Sequence, residues 1–397
     1  MTKGKKILFI VSRLPINTET GDRLRVYHFI KKLRERGHQI DVLGFVPPGD
    51  YKIRTDIESL CNKCVGIEKE NLEFKNPNRI KQLKLFSQSF FKGYPYRVWQ
   101  WYDEKFIRAA RQLVEKNPYD VVHFSVVASA IAFKELNEQK QMSRFVFDLV
   151  DSLALSLKSA IKRDHSFLWP FRYVEFFRLR TFEQQLVQEA DKAILISERD
   201  KKFLGQKEIN IIPNGIEANN LAEVERDIDL LFVGNMAAKT NIDAARWFAK
   251  SIMPKLVKYE PSLQFFIAGV NPSEEIKKLQ NRNITVSGYV QDINEYYRRA
   301  RLFVCPMRRG AGQKNKILEA MINNTPVIST TEGNIGIDAP ENAIAIADNA
   351  KEFAEKILIL LEDSNQRNQL AEKGRAYARE NFSWEKSVSL LEQCYEA

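Results

Sequence analysis

Short apolar runs alternate with helical segments along this chain, in two series that a polar stretch at residues 217–229 separates. Residues 7–11 form a continuous apolar run, which is typical of a parallel strand buried on both faces. Residues 22–36 then place apolar side chains on one helical face, and the same alternation restarts at residue 229. This order predicts parallel sheets with helices on both faces.

We therefore predict an α/β protein with two doubly wound, Rossmann-like domains that face each other across a cleft. Residues 1–222 form the first domain and residues 223–376 the second, and we expect a C-terminal helix, residues 377–397, to pack back on the first domain. Ligands of such sheets bind outside the carboxyl ends of the strands. Polar residues that directly follow a strand are consequently the candidates for a functional site.

Composition excludes several other classes of protein. The 397 residues are 44% apolar and 28% charged, which is enough apolar material for two cores and argues against intrinsic disorder. No apolar run approaches the roughly 18 residues of a membrane-spanning helix, and the N-terminal run is too short for a signal peptide. Four cysteines without framework spacing suit a reducing compartment, so we expect a cytoplasmic protein.

The excess positive charge lies entirely in the first half of the chain. Residues 1–200 hold 35 basic and 25 acidic residues, whereas the remaining residues are balanced. Residues 75–101 contain six basic residues, seven aromatic residues and no acidic residue, and residues 167–182 have a similar composition. Such segments suit an anionic membrane surface or a single-stranded nucleic acid, and their aromatic residues can equally belong to a core.

Two loops in the second domain follow predicted strands and carry positive charge. In the first loop, Lys239 lies beside a helix start where Thr240 and Asp243 resemble a capping box, a place suited to an anion. The alternative is an ordinary turn with a solvated lysine. The second segment, residues 308–316, contains two glycines and four basic residues, which lie on both sides of a helix start near Gln313.

Glu319 lies on that helix, one turn after Lys316, so both side chains share a helix face. A carboxylate among basic residues is suited to accept hydrogen bonds from sugar hydroxyl groups. The alternative is a surface ion pair without a function.

The pattern Gly-x-Gly…Ile-Leu-Glu-Ala-Met…Thr-Pro-Val-Ile at residues 310–328 resembles the donor-binding motif of GT-B fold glycosyltransferases, specifically retaining glycosyltransferase family 4. Tyr-Asp-Val-Val-His at 119–123, Ile-Pro-Asn-Gly at 212–215 and Phe-Ser-Trp-Glu at 382–385 follow in that family's order. The resemblance implies a hexosyltransferase-type enzyme that moves a sugar from a nucleoside diphosphate sugar to a glycan or lipid-linked acceptor in polysaccharide or cell-surface glycan biosynthesis, with retention.

The resemblance also implies a set of donor-binding residues in which Glu319 binds the donor ribose. The set comprises Gly21, Gly234, Asn235, Lys239, Asn241, Gly269, Tyr289, Val290, Arg308, Arg309, Gly310, Gly312, Lys316, Ile317, Leu318 and Glu319. The chain departs from the family pattern at two positions, since Ala311 replaces a glutamate and Asn235 replaces an arginine that contacts the diphosphate. Lys316, Arg308 or Arg309 would supply the missing positive charge.

The first domain offers four candidate catalytic residues, none of which the sequence assigns firmly: Asp22, His123, Ser125 and Asp151. Asp22 can instead be a helix cap, and a lone histidine in a buried strand is more often a core residue. The resemblance implies no metal and no cofactor, because basic residues and helix ends would stabilise the leaving diphosphate.

The resemblance favours a membrane over a nucleic acid as the partner of the basic first domain, because acceptors of bacterial glycan assembly are often lipid-linked. We therefore expect peripheral binding to the anionic inner face of the cell membrane, and no nucleic-acid partner. Two alternatives stay open. One is a non-catalytic GT-B-like subunit of a glycan assembly complex, which Ala311 and Asn235 motivate, and the other is a basic protein that binds single-stranded nucleic acid.

Overall fold

The computed structural model describes residues 4–16, 21–49, 55–70, 72, 79–136, 143–161, 169–217, 224–310 and 312–396. The chain forms two compact units, one of Met1–Pro213 with Ser387–Ala397 and the other of Asn214–Lys386. The predicted boundaries were residues 222 and 376. The second unit extends beyond residue 376 because Ala378 and Phe382 are buried in its core. It returns to the first unit within its last helix, where the Ser387 hydroxyl donates to the carbonyl of Pro213 (2.8 Å).

The first unit is built on a seven-stranded, all-parallel sheet in the order β3-β2-β1-β4-β5-β6-β7. Its strands are β1 (Lys6–Arg13), β2 (Gln39–Val46), β3 (Lys63–Glu68), β4 (Val121–Ser125), β5 (Arg144–Val150), β6 (Lys192–Leu195) and β7 (Ile209–Ile211). The strand order reverses between β1 and β4, where Phe9 pairs with His123. Such a reversal is the point at which doubly wound sheets bind ligands.

Helices connect these strands, as the sequence predicts. They are α1 (Gly21–Glu35), α2 (Thr55–Leu60), α3 (Arg79–Phe91), α4 (Tyr96–Trp99), α5 (Glu104–Lys116), α6 (Ala130–Leu136), α7 (Leu153–Ile161), α8 (Trp169–Glu189) and α9 (Glu198–Leu204), with a 3-10 turn at Val127–Ser129. Helix α1 buries Val26, Phe29, Ile30 and Leu33, which are the residues that its apolar spacing places on one face.

The second unit contains a six-stranded, all-parallel sheet in the order β10-β9-β8-β11-β12-β13. Its strands are β8 (Ile228–Val233), β9 (Phe265–Ala268), β10 (Ile284–Gly288), β11 (Ala300–Cys305), β12 (Val327–Ser329) and β13 (Ala345–Ile346). Here the order reverses between β8 and β11. The loops after these two strands are the ones in which the sequence places positive charge.

Helices connect the strands of the second unit as well. They are α10 (Lys239–Trp247), α11 (Met253–Leu256), α12 (Glu274–Lys277), α13 (Ile293–Arg299), α14 (Asn315–Ile322), α15 (Thr331–Asn334), α16 (Ala350–Glu362) and α17 (Ser364–Asn381), followed by α18 (Trp384–Glu396). A π-helical turn at Phe248–Ile252 separates α10 from α11, because Pro254 at the start of α11 cannot donate a backbone hydrogen bond. Within the described residues, no helix is long and apolar enough to cross a membrane.

Candidate functional site

The loop after β8 begins at Gly234 and leads into α10 without a side-chain cap. The helix starts at Lys239, and its N-cap residue is Ala238, which has no side chain that could accept a hydrogen bond. The predicted capping box is therefore wrong, because Thr240 and Asp243 both lie inside the helix. Lys239 is exposed and forms no ion pair within the described part of the chain. This helix end can attract an anion.

Asn241 and Lys316 connect this loop to α14. The Asn241 side chain donates to the carbonyl of Asn235 (2.9 Å) and accepts from Lys316 Nζ (2.8 Å). Burial lowers the pKa of Lys316 to about 8. A Cβ on Gly234 would lie 2.7 Å from Asn241 Nδ2 and 2.8 Å from Lys316 Nζ, so the glycine leaves room for both side chains beside the loop.

Gly269, at the end of β9, packs against the same loop. Its φ is +138°, and a Cβ there would lie 1.8 Å from the carbonyl oxygen of Gly234. Its backbone N–H donates to the carbonyl of Gly288 at the end of β10 (2.9 Å). Tyr289 is exposed beside this turn, whereas Val290 packs against the core. Glycine backbone therefore lines the edge of the sheet at which β8, β9 and β10 end.

Arg308 and Arg309, in the loop after β11, share one buried carboxylate. Asp243 accepts from Arg308 (2.9 Å) and from two nitrogens of Arg309 (2.6 and 3.1 Å). The Arg308 guanidinium also lies over the Trp247 ring, 5.2 Å from its centroid. Both arginine side chains remain about two-fifths exposed, at 41% and 39%. One carboxylate cannot neutralise two arginines, so the loop keeps a net positive charge.

Lys314 has a structural part in this loop. It is buried, and its ammonium group donates to the carbonyls of Gly310 (3.0 Å) and Gly312 (2.6 Å). Both glycines have positive φ, at +124° and +77°, which other residues rarely adopt. Lys314 thus ties the loop into a tight turn just before α14. Ala311 lies outside the described residues.

Glu319 is half-buried on α14 and accepts a hydrogen bond from the Tyr297 hydroxyl (2.8 Å). Burial raises the pKa of Glu319 and also that of Tyr297. The contact that Lys316 makes with Asn241, rather than with Glu319, sets aside the alternative of a simple surface ion pair. Ile317 and Leu318 have buried side chains, so only their backbones could contact a ligand.

His123, in the first unit, is a buried core residue. Its ring centroid lies 4.6 Å from that of Phe9, and its Nδ1 is 2.9 Å from the hydroxyl of Tyr395 on α18. Burial lowers its pKa to about 4, although Asp148 opposes this shift. The imidazole is therefore neutral near pH 7 and inaccessible to a substrate.

The neighbouring polar groups of this strand edge are buried as well. Arg25 donates to Asp148 (2.7 Å), and both side chains are essentially inaccessible to solvent. Ser125 is buried, and its hydroxyl has no hydrogen-bond partner among the described residues.

The remaining candidates of the first unit are more accessible. Asp22 forms an ion pair with Arg13 (2.9 Å), and each side chain is about one-fifth exposed. Gly21 is exposed at the first residue of α1, and Asp151 is half-buried directly after β5.

Sequence reasoning missed two groups of residues. Val126, directly after β4, and Val150, the last residue of β5, have φ of +67° and +66°, a strained conformation for a β-branched residue. No sequence signal marks them, because valine is common in strands. It also missed Tyr297, which donates to Glu319, and gave Asp243 the role of a helix cap, whereas Asp243 accepts from Arg308 and Arg309.

Taken together, the strand ends of the second sheet collect accessible positive charge, glycine backbone and a carboxylate. This set can hold a phosphate-bearing ligand and accept hydrogen bonds from its hydroxyl groups. Among the described residues, no group of three histidine, cysteine or acidic side chains is arranged to hold a metal ion.

The chain is similar in sequence and in structure to several known proteins. Residues 227–363 match the family model described as glycosyl transferases group 1. An uncharacterized 44.6 kDa protein in the cps region of Klebsiella pneumoniae is 22% identical over 97% of this chain and 98% of its own length. Sucrose-phosphate synthase from Thermosynechococcus elongatus superimposes with a TM-score of 0.73 at 17% identity, covering 99% of this chain and 98% of that one. A mutant of TarM from S. aureus, in complex with fondaparinux, alpha-GlcNAc-glycerol and UDP, gives 0.70 at 13% identity over 99% and 100% of the two chains.

The similarity to the solved structures establishes the fold. Over nearly its whole length the chain has the GT-B fold of glycosyltransferases, as the sequence predicts. The second unit, which carries the glycine and lysine loops described above, has the sequence pattern of glycosyl transferases group 1. The resemblance inferred from the motifs is thereby confirmed at the level of that group.

Proposed function

We propose that this protein is a glycosyltransferase that binds a nucleoside diphosphate sugar at the strand ends of its second sheet. One observation carries the proposal: Lys239, Arg308 and Arg309 remain accessible around the uncapped start of α10, while Glu319 lies on α14 one turn after Lys316, whose Nζ donates to Asn241 of α10 (2.8 Å). Accessible cations suit a diphosphate, and a carboxylate suits the hydroxyl groups of a ribose.

The proposed chemistry assigns a role to each part of this set. The cations and the free N–H groups of α10 stabilise the negative charge that develops on the leaving diphosphate. Glu319, oriented by the Tyr297 hydroxyl, accepts hydrogen bonds from the donor ribose. We propose a metal-independent reaction with retention of configuration, of the kind that retaining family 4 performs. No general base is assigned, because the His123 imidazole is buried and lies at hydrogen-bond distance from the Tyr395 hydroxyl.

The similar proteins support both substrates of this reaction. TarM was solved with UDP and alpha-GlcNAc-glycerol, and the Klebsiella protein is encoded in a cps region. We therefore propose transfer of a hexose to a glycan or lipid-linked acceptor in polysaccharide biosynthesis, at the inner face of the cell membrane.

A non-catalytic GT-B-like subunit is the second candidate, and Asn235 favours it. Its side chain accepts from the backbone N–H of Ala237 (3.0 Å), so it closes the turn and supplies no cation at the position where the family carries arginine. Such a subunit would bind a nucleotide without transferring sugar.

An assay with radiolabelled UDP-, GDP-, ADP- and dTDP-hexoses, with and without membrane extract as acceptor, distinguishes these functions. We expect one donor to be hydrolysed or transferred above the enzyme-free background, and Glu319→Gln to reduce that rate. The matched control is Glu372→Gln, an exposed residue of α17. Nucleotide binding without turnover of any donor would support the non-catalytic subunit, and absence of nucleotide binding would contradict both candidates.

A further inference from the structure

Helices α3 and α8 of the first unit expose an unusual amount of aromatic surface. Phe90 and Phe91, at the end of α3, are 63% and 85% exposed, and Trp169 and Phe171, at the start of α8, are each 52% exposed. Tyr173 and Phe177 continue this surface along α8. We name these six residues the aromatic platform. Large apolar patches on a surface generally mark a binding site.

Contacts between the two helices make the platform continuous. The Phe86 ring of α3 lies 5.8 Å from the Phe171 ring of α8. Arg178 of α8 donates to the carbonyls of Ser89 (2.9 Å) and Tyr94 (2.6 Å), and its guanidinium lies 5.4 Å from the centroid of Phe90. The two helix ends therefore hold the aromatic residues at one place on the first unit.

Positive charge surrounds the platform. Lys84, Lys92 and Arg172 are exposed on the same two helices or directly after α3. Glu175, the acidic residue nearest to the platform on α8, is buried, and its carboxylate accepts from the backbone N–H groups of Tyr96 (3.1 Å) and Arg97 (2.9 Å). No acidic residue occurs between positions 75 and 101. The described surface here is aromatic and cationic.

We propose that the aromatic platform inserts into the interface of an anionic lipid bilayer. Aromatic rings favour headgroup depth, and the surrounding cations attract anionic headgroups. Three pairs of rings, Phe90 with Phe91, Phe86 with Phe171 and Tyr173 with Phe177, pack edge to face at angles of 80–88°. That packing forms an apolar mass rather than the open ring faces on which single-stranded bases stack. A symmetric contact with a second copy is disfavoured because it would bring like charges together.

The experiment measures cosedimentation of the full chain with vesicles of phosphatidylcholine alone, or of equimolar phosphatidylcholine and phosphatidylglycerol. It uses no nucleotide sugar, so its failure would contradict the proposed membrane location and leave the proposed transferase activity intact. We expect binding to the anionic vesicles that weakens as salt rises. Phe91→Ser with Trp169→Ser should reduce binding at least tenfold, and Lys84→Gln with Lys92→Gln should reduce it about fivefold per charge.

Matched controls come from the second unit. Tyr259→Ser removes an aromatic residue that is 72% exposed, and Lys255→Gln with Lys258→Gln removes two exposed charges. These variants should bind vesicles like the wild type, and all variants should keep the wild-type melting temperature. Equal binding to neutral and anionic vesicles, binding to neither, wild-type binding by the platform variants, or tighter binding to oligo(dT) than to vesicles would each overturn the proposal.

Discussion

The strand ends of the two sheets offer a comparison within one molecule. Both units are doubly wound parallel sheets, and in both the sequence places polar residues after the strands at the reversal point. In the second unit, Arg308 and Arg309 share a single carboxylate and stay about two-fifths exposed. In the first unit, Arg25 donates to Asp148, and both side chains are inaccessible to solvent.

We infer from this difference that the strand ends of the second sheet bind a ligand, whereas those of the first sheet stabilise the fold. Charges that are accessible and incompletely balanced can still bind a ligand, whereas a buried and balanced pair mainly holds the core together. A polar residue after a strand is thus a good site candidate only if the tertiary structure leaves it exposed. Substitutions at the first edge should therefore change stability, and substitutions at the second edge should change ligand affinity.

Removing Asp148 should have the largest effect, and that effect should fall on the fold. Asp148→Ala takes the buried carboxylate away from Arg25, and we expect it to lower the free energy of unfolding by about 3–5 kcal/mol. Urea denaturation measures this loss. Asp22→Ala, which breaks the partly exposed pair with Arg13, should cost at most about 1 kcal/mol. Equal losses of unfolding free energy in the two variants would show that the buried Arg25–Asp148 pair does not stabilise the strand ends of the first sheet.

Glu319→Gln should act on ligand affinity and leave the fold nearly unchanged. The glutamine can still accept from Tyr297, but the charged acceptor for ribose hydroxyls is gone. We expect nucleoside diphosphate binding to weaken by about 1–3 kcal/mol in titration calorimetry. The Glu372→Gln control should bind like the wild type, and unchanged affinity in Glu319→Gln would remove this residue from the site.

Lys239→Ala and Arg308→Ala should distinguish the diphosphate from the nucleoside. Each lost cation should weaken nucleoside diphosphate binding by about 1.5 kcal/mol and leave binding of the bare nucleoside almost unchanged. Lys250→Ala, at an exposed position of the same unit, is the control. Equal losses of affinity for the nucleoside diphosphate and the bare nucleoside would show that these cations support the fold and do not bind the phosphates.

The smallest predicted effect concerns pH. Lys316 has a folded-state pKa lowered to about 8, so it is charged at pH 7 and loses its charge as pH rises through 8. Diphosphate affinity should therefore fall above pH 8, by at most about tenfold per pH unit for one required proton. Because burial disfavours the charged form of Lys316, its neutral form favours the folded state. This contribution to stability is full above the unfolded-state pKa and is lost as pH falls through 8. A flat affinity profile from pH 7 to pH 9 would exclude Lys316 from diphosphate binding.

The sequence was most informative where local pattern decides the structure. Apolar spacing predicted the buried face of α1, and the alternation of apolar runs with helical segments predicted the two parallel sheets. The sequence was misleading where contacts between residues far apart in the chain determine the structure. Asp243 resembles a helix cap locally, but its partners Arg308 and Arg309 lie more than 60 residues further along the chain. The burial of His123 likewise depends on Tyr395, which only the folded chain brings close.

Hydrogen–deuterium exchange with saturating UDP, GDP or ADP tests the central claim, because it reports on both sheet edges in one experiment. The account predicts slower exchange in peptides that cover residues 234–241 and 312–319 with at least one nucleotide, and unchanged exchange in peptides that cover 123–127 and 148–152. Protection confined to the first unit's strand ends, or no protection at residues 234–241 and 312–319 with any of the nucleotides, would contradict it.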